Sequence, residues 1–250
     1  MLRAFLWLAV VAAYGTVWFG LAVVVASFGR PSATNAIALA SIWLALVIVV
    51  PSLVNLGAAT AFPVPSRVEM IQAMRSASDD ANREGAALLA RYYDDHPELA
   101  VGSAGRAMDD FYAIRVAVTA DVESRVRPVL GRFEQQLDAQ RRLVSRLRSL
   151  SPAILMQEAL TDLAGTGVAR HQHFLAQVGQ FHERWRAHFV PMILRRAQLD
   201  GYTSLPRFVY TDEPQAAVVG RVTVSIGLML LPAVLAGIVG VRRLRRFPVV

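Results

Sequence analysis

The sequence predicts an all-α membrane protein, with three transmembrane helices and an extracytoplasmic helical bundle inserted between the second and third. Three observations carry this expectation. All 19 acidic side chains lie between Glu69 and Glu213. Outside that stretch the chain is built from long uncharged apolar runs, and a carboxylate at a bilayer centre costs about 2.5 to 3.5 kcal/mol on insertion scales. Within the stretch, apolar residues recur at spacings of three and four, the period of an amphipathic helix.

The three spans are Ala4 to Phe28, Ala36 to Phe62 and Val222 to Val241. Each reaches the roughly 20 residues that a helix rising about 1.5 Å per residue needs to cross hydrocarbon. The first exceeds the apolar core of a signal peptide, about 7 to 15 residues, and a second span follows at once, so it is read as a span. Residues 1–62 thus hold two spans joined by the short loop 29–35, residues 63–215 the helical domain, and residues 216–250 the third span and a basic tail.

Within the domain, Val68, Ile71, Met74, Ala77, Leu88, Leu89 and Tyr92 predict a helix from Ser66 that ends at His96-Pro97, since the residue before proline leaves the helical region. A second helix is expected from Ala104 to Leu150, kinked or divided at Pro128. Ser151-Pro152 has the form of a helix start, serine as cap and proline first, and Gly165-Thr166-Gly167 the form of its end. A last long helix places His171, Phe174, Val178, Phe181, Trp185, His188 and Met192 on one face, as a bundle seam does.

Arginine sets the expected orientation, because basic residues near spans stay on the cytoplasmic side. Arg242, Arg243, Arg245 and Arg246 follow the third span, which puts the C-terminus inside, loop 29–35 inside, and both the N-terminus and residues 63–215 outside. The formal charge of +7 resides at the membrane, because the 19 acids of the insert are matched by 19 arginines between Arg67 and Arg207. The expected partner of that excess is a bilayer with anionic headgroups, not nucleic acid.

Residue types exclude several chemistries. There is no cysteine and no lysine, which removes thiolate metal sites, Schiff-base catalysis and the lysine of a GxxxxGK[ST] phosphate loop. His171, His173, His182 and His188 share the last helix, but His171 and His182 are about 16 Å apart along its axis, and His182-Glu183 is followed by Arg184-Trp185-Arg186 and not by the HExxH pattern. The pairs Asp79-Asp80, Asp94-Asp95 and Asp109-Asp110 do not share a helical face. No catalytic residue, metal site or cofactor is therefore expected, and the chain is not expected to be an enzyme. Pro51 and Asn55 stand out in the second span: proline frees a carbonyl, and asparagine needs a partner in lipid, so this helix is expected to pack on others or border a path.

A family resemblance rests on Trp18-Phe19, Ser32-Ala33-Thr34-Asn35-Ala36, Pro63-Val64-Pro65-Ser66-Arg67, Arg91 to Leu99, Ser151-Pro152 and Leu163-Ala164-Gly165-Thr166, in this order. The chain resembles the C-terminal half of bacterial type-2 ABC transporter permeases with a large extracytoplasmic domain of unknown function, related to gliding-motility and nitrous-oxide-reductase accessory permeases. The resemblance implies that the spans are the fourth to sixth of six, in the bacterial cytoplasmic (inner) membrane. It implies a separate cytoplasmic ABC ATPase and a second permease or N-terminal half-permease as partners, with Arg30, Ser32, Thr34 and Asn35 facing the ATPase. The expected function is a permease subunit or half-permease; the alternative is a membrane-anchored extracytoplasmic scaffold or sensor bundle without transport. The chain lacks the family's first three spans and is expected to be a fragment, an internal-start product or one half of a split permease.

Overall fold

The computed structural model describes residues 1–64, 66–95, 111–195, 197, 201 and 205–245. Among them there is no strand. The helices are α1 (Leu2–Ala26), α2 (Ser32–Leu44), α3 (Val50–Ala61), α4 (Arg67–Asp95), α5 (Phe111–Leu147), α6 (Pro152–Ala164), α7 (Val168–Arg195) and α8 (Gln215–Leu244). A π-helical turn, Ala45–Val49, joins α2 to α3, and a 3-10 turn, Arg148–Leu150, precedes α6. Three helical stretches, Leu2–Ala26, Ser32–Ala61 and Gln215–Leu244, are long and apolar enough to cross a membrane.

The chain forms two compact units. The first comprises Met1–Ala61, Gln140–Phe174 and the chain from Thr211. Its core is a parallel pair, α1 with α8: Leu6 shares a pocket with Val218, Gly20 meets Ala233, and Val23 meets Gly240. On α1 the buried positions Leu6, Val10, Ala13, Val17 and Gly20 alternate spacings of four and three, the repeat that keeps one seam facing a neighbouring helix. The α8 seam answers with Val218, Val222, Ser225, Met229 and Ala233. Small residues matter here because they let two apolar helices approach closely, and close van der Waals contact then holds them. A methyl group on Gly20 would lie 2.7 Å from the Ala233 carbonyl oxygen, and one on Gly240 would lie 2.8 Å from a Val23 methyl.

Helix α6 completes this core, burying Leu155, Ala159 and Leu163 against α1 and α8. Ser151 caps it by accepting a hydrogen bond from the Ile154 N–H at 3.4 Å, and Gly165 ends it at φ 76°, the left-handed conformation that glycine adopts without strain. Cap, proline and glycine therefore act as their order in the sequence implies.

The second unit comprises the described residues of Phe62–Ala139 and Leu175–Tyr210. Ala81 and Leu88 of α4, Ala117 and Val118 of α5 and Leu194 of α7 form its core, with Ile114, Val122 and Val190 beside them. Helix α5 runs through Pro128 as one helix. One expectation is corrected. The α7 stripe is not a buried seam: Phe174, Val178 and Trp185 are exposed by 41%, 37% and 44%, and the core is reached by Val190 and Leu194 instead. Spacing places residues on one face but does not supply the element that covers it. The pair Asp109-Asp110 lies outside the described residues.

The close approach of α1 and α8 gives a paired test. Gly20→Ala is expected to lower thermal stability of the detergent-solubilised protein by about 1 to 3 kcal/mol, the cost of overpacking. Gly15→Ala, where nothing lies within 4 Å, is expected to raise it by a few tenths to about 1 kcal/mol through helix propensity.

Candidate functional site

The most specific polar geometry of the first unit is built where a backbone defect in one apolar helix meets the start of another. Pro51 has no N–H. In the turn before it the Val50 N–H donates to the Ala45 carbonyl, a five-residue spacing, and in that register the Leu46 carbonyl would be served by residue 51. Proline leaves it without a backbone donor. The Ser151 hydroxyl donates to this carbonyl at 2.6 Å, and Ser151 is completely buried. One side chain thus fills the gap in the α2–α3 stretch with its hydrogen and caps α6 with its lone pair.

This bond fixes a level. Leu46 lies at the middle of Ser32–Ala61, while Leu163, at the other end of α6, shares a pocket with Leu2, Leu6 and Val218 at the starts of α1 and α8. Helix α6 therefore runs antiparallel to both, with its N-terminus about 18 Å from their starting ends, given about 1.5 Å per residue. Beside it the Arg148 guanidinium reaches the Glu158 carboxylate at 3.2 Å.

At the starting ends an ion cluster closes the unit. Arg221 donates from Nε to Asp162 of α6 at 2.8 Å and from its terminal nitrogens to both oxygens of Glu213. This fork lets α8 carry a charge near its start: the guanidinium that interrupts the apolar run is neutralised by two carboxylates. The hydrogen bond from Arg221, opposed by burial and aided by charge, holds the Glu213 carboxyl below the usual range. Nearby, Arg170 pairs with Asp212 at 3.2 Å, and His173 Nε2 lies 3.0 Å from the Thr211 carbonyl. The opposite end of the unit is basic. Arg242 and Arg243 occupy the last turn of α8, Arg245 follows it, and Arg243 stacks on the Phe28 ring at 4.3 Å.

The residues singled out from the sequence are placed as follows. Arg30 is in the exposed connection after α1, whereas Ser32, Thr34 and Asn35 form the first turn of α2; the Asn35 amide donates to the Arg30 carbonyl at 3.2 Å. Asn55 is exposed on α3 and has no hydrogen-bond partner among the described residues. Arg246 lies outside the described residues. Of the histidines, His171 is exposed and His182 borders a cleft in the second unit, while the buried Nε2 of His188 has no hydrogen-bond partner among the described residues. No group of three metal-capable side chains occurs among the described residues.

The cleft between α5 and α7, about 590 Å³, has an apolar wall of Val116, Ala120, Trp185, Val190 and Ile193. At its edge Arg186 pairs with Glu123. Burial alone would push the Glu123 carboxyl up, but the hydrogen bond and charge of Arg186, then those of Arg127, hold it below the usual range.

Residues 67–211, more than half of the chain, match the family described as Domain of unknown function (DUF3526). The chain belongs to the DUF3526 family. No curated protein and no solved structure matches it. The DUF3526 match takes in α4 to α7, so Ser151 and Asp162 are family-domain residues that reach helices outside the matched segment, at Leu46 and Arg221.

Two tests follow from this geometry. Ser151→Ala is expected to cost about 1 to 3 kcal/mol, the penalty for leaving a buried acceptor unpaired. Pro51→Ala restores the missing N–H, so Pro51→Ala/Ser151→Ala should be less destabilised than the sum of the single changes, as measured by a double-mutant cycle of thermal unfolding in detergent. For the Arg221 fork, Glu213 has a lowered folded-state pKa. Its contribution is therefore whole above the unfolded glutamate value of about 4.3 and is lost as pH falls through the folded value. Thermal stability followed from pH 7 to pH 3 should fall less steeply in Glu213→Gln than in the unaltered protein.

Proposed function

We propose that this DUF3526 chain is a permease subunit or half-permease of an ABC-type transporter, spanning the cytoplasmic membrane and energised by a separate cytoplasmic ATPase. The observation that carries this reading is the bareness of the second apolar helix. Only 6% of its most apolar window is buried, against 22% in α1 and in α8, and Asn55 projects from it without a partner. An asparagine in hydrocarbon seeks a hydrogen bond on another helix, which supports a second permease or N-terminal half packed on this face. The resemblance to type-2 permeases agrees with this, as does the occurrence of DUF3526 in ABC-transporter permease-like proteins.

Charge supports the orientation. Arg30, Arg242, Arg243 and Arg245 gather at one end of the first unit, whereas at the other Arg170 and Arg221 are paired with Asp162, Asp212 and Glu213. The basic end is the cytoplasmic one by the positive-inside tendency. In this reading the second unit is extracytoplasmic, α6 packs against α1 and α8 at membrane depth, and Arg30 with the first turn of α2 offers the ATPase its contact. A second reading, an extracytoplasmic sensor or scaffold without transport, is favoured by the apolar cleft between α5 and α7.

Affinity purification in mild detergent decides between them. The transporter reading expects an ABC ATPase and a second permease segment to co-purify, with Asn55→Leu reducing recovery of that segment about threefold, the equivalent of one average interhelical hydrogen bond of about 0.6 kcal/mol. A chain purified with neither partner, yet rearranging when an apolar ligand enters the cleft, would sink the transporter reading in favour of the sensor.

A further inference from the structure

The level fixed by Ser151 has a consequence for the arginines that lead up to it. Arg148 belongs to the 3-10 turn just before Ser151, and its charge is answered by Glu158. Arg142 and Arg146 stand one helical turn apart near the end of α5, both exposed, and neither has a hydrogen-bond or ion-pair partner among the described residues. Like charges at this spacing disfavour a helix by a few tenths of a kcal/mol.

Whatever the direction in which α5 leaves the turn, the rise per residue bounds the height of these groups. Five steps of about 1.5 to 2.0 Å separate Arg146 from Ser151, so its backbone lies within about 10 Å of the Ser151 level; four further steps put Arg142 within about 16 Å. With the three apolar helices crossing a bilayer, Leu46 marks its middle, and half the hydrocarbon thickness is about 15 Å. Arg146 is then inside the hydrocarbon layer, and Arg142 is at or inside its edge. An exposed, unpaired guanidinium at this depth is costly unless it draws an anionic group to itself or snorkels to one.

We propose that Arg142 and Arg146 form a binding site for the anionic headgroup of a membrane amphiphile, a phosphate or carboxylate carried on acyl chains. The two side chains offer planar, multiple N–H donors that suit phosphate and carboxylate oxygens. The amphiphile's chains would lie on the apolar surfaces left open in the first unit, among them Leu53 and Leu56 of α3, each 60% exposed. Glu158 does not repel the headgroup, because Arg148 already neutralises it. The inference rests on the membrane-spanning reading and is independent of any ATPase.

The test is native mass spectrometry of the whole chain released from detergent containing equimolar phosphatidylglycerol and phosphatidylcholine. Preferential retention of phosphatidylglycerol is expected, falling about thirtyfold in Arg142→Gln/Arg146→Gln, the loss expected from removing two arginine–headgroup attractions. Arg142→Lys/Arg146→Lys, which keeps the charge but not the planar donors, should retain more of the preference than the glutamine pair, and Arg242→Gln/Arg243→Gln, at the far end of α8, should keep all of it. Unchanged retention in Arg142→Gln/Arg146→Gln, or loss in the tail variant alone, would overturn the proposal. Displacement of the lipid by millimolar inorganic phosphate would also overturn it, since the site would then serve a soluble anion. A chain that stays in solution without surfactant refutes the membrane reading itself, whereas one that needs surfactant but shows no lipid preference refutes only this inference.

Discussion

The apolar unit depends on a single donor supplied to a single carbonyl. Within a stretch of helix where nothing but backbone is available to satisfy backbone, Pro51 leaves the Leu46 oxygen open, and an open carbonyl away from water costs about 1 to 3 kcal/mol. The Ser151 hydroxyl closes it. Because Ser151 is also the cap of α6, the same atom that repairs one helix starts another, and the position of α6 between α1 and α8 follows from where the defect lies. The 3-10 turn, the Arg148–Glu158 pair and the alignment of Leu163 with the starts of α1 and α8 all take their heights from this contact.

A second constraint acts at the other end of α6. Arg221 lies in a helix that is otherwise uncharged for most of its length, and such a charge is retained where it is paired. Asp162 and Glu213 supply that pairing from α6 and from the segment entering α8. Helix α6 is therefore tied at both termini by polar contacts and along its length by Leu155, Ala159 and Leu163. The apolar contacts give the fit, while the polar ones give the register, since a shift by one turn would strand both the hydroxyl and the guanidinium.

Much of the fold was legible in the sequence. The three apolar stretches, the helix start at Ser151-Pro152 and its end at Gly165 follow from local rules that each involve a few neighbouring residues. Pro51 was legible as a residue that frees a carbonyl, and Ser151 as a cap, but their partnership was not, because the bond joins positions 105 apart and no periodicity encodes it. The pairing of Arg221 with Asp162 was hidden for the same reason, since the two lie 59 positions apart. The α7 stripe failed differently. Its spacing was read correctly, but Phe174, Val178 and Trp185 remain exposed because spacing does not name a covering surface. The Arg142–Arg146 pair became visible only when the depth of Ser151 was known.

The parallel union of α1 with α8 carries a consequence for biogenesis. These two helices are the first and last described in the chain, and each supplies the other's principal seam. A ribosome adding about 5 to 20 residues per second needs about 10 to 40 s to make the segment between Ala26 and Gln215. Throughout that interval Leu6, Val10, Ala13 and Val17 of α1 lack the seam that α8 supplies. Completion of α8 is therefore the step that lets the apolar unit reach its native form.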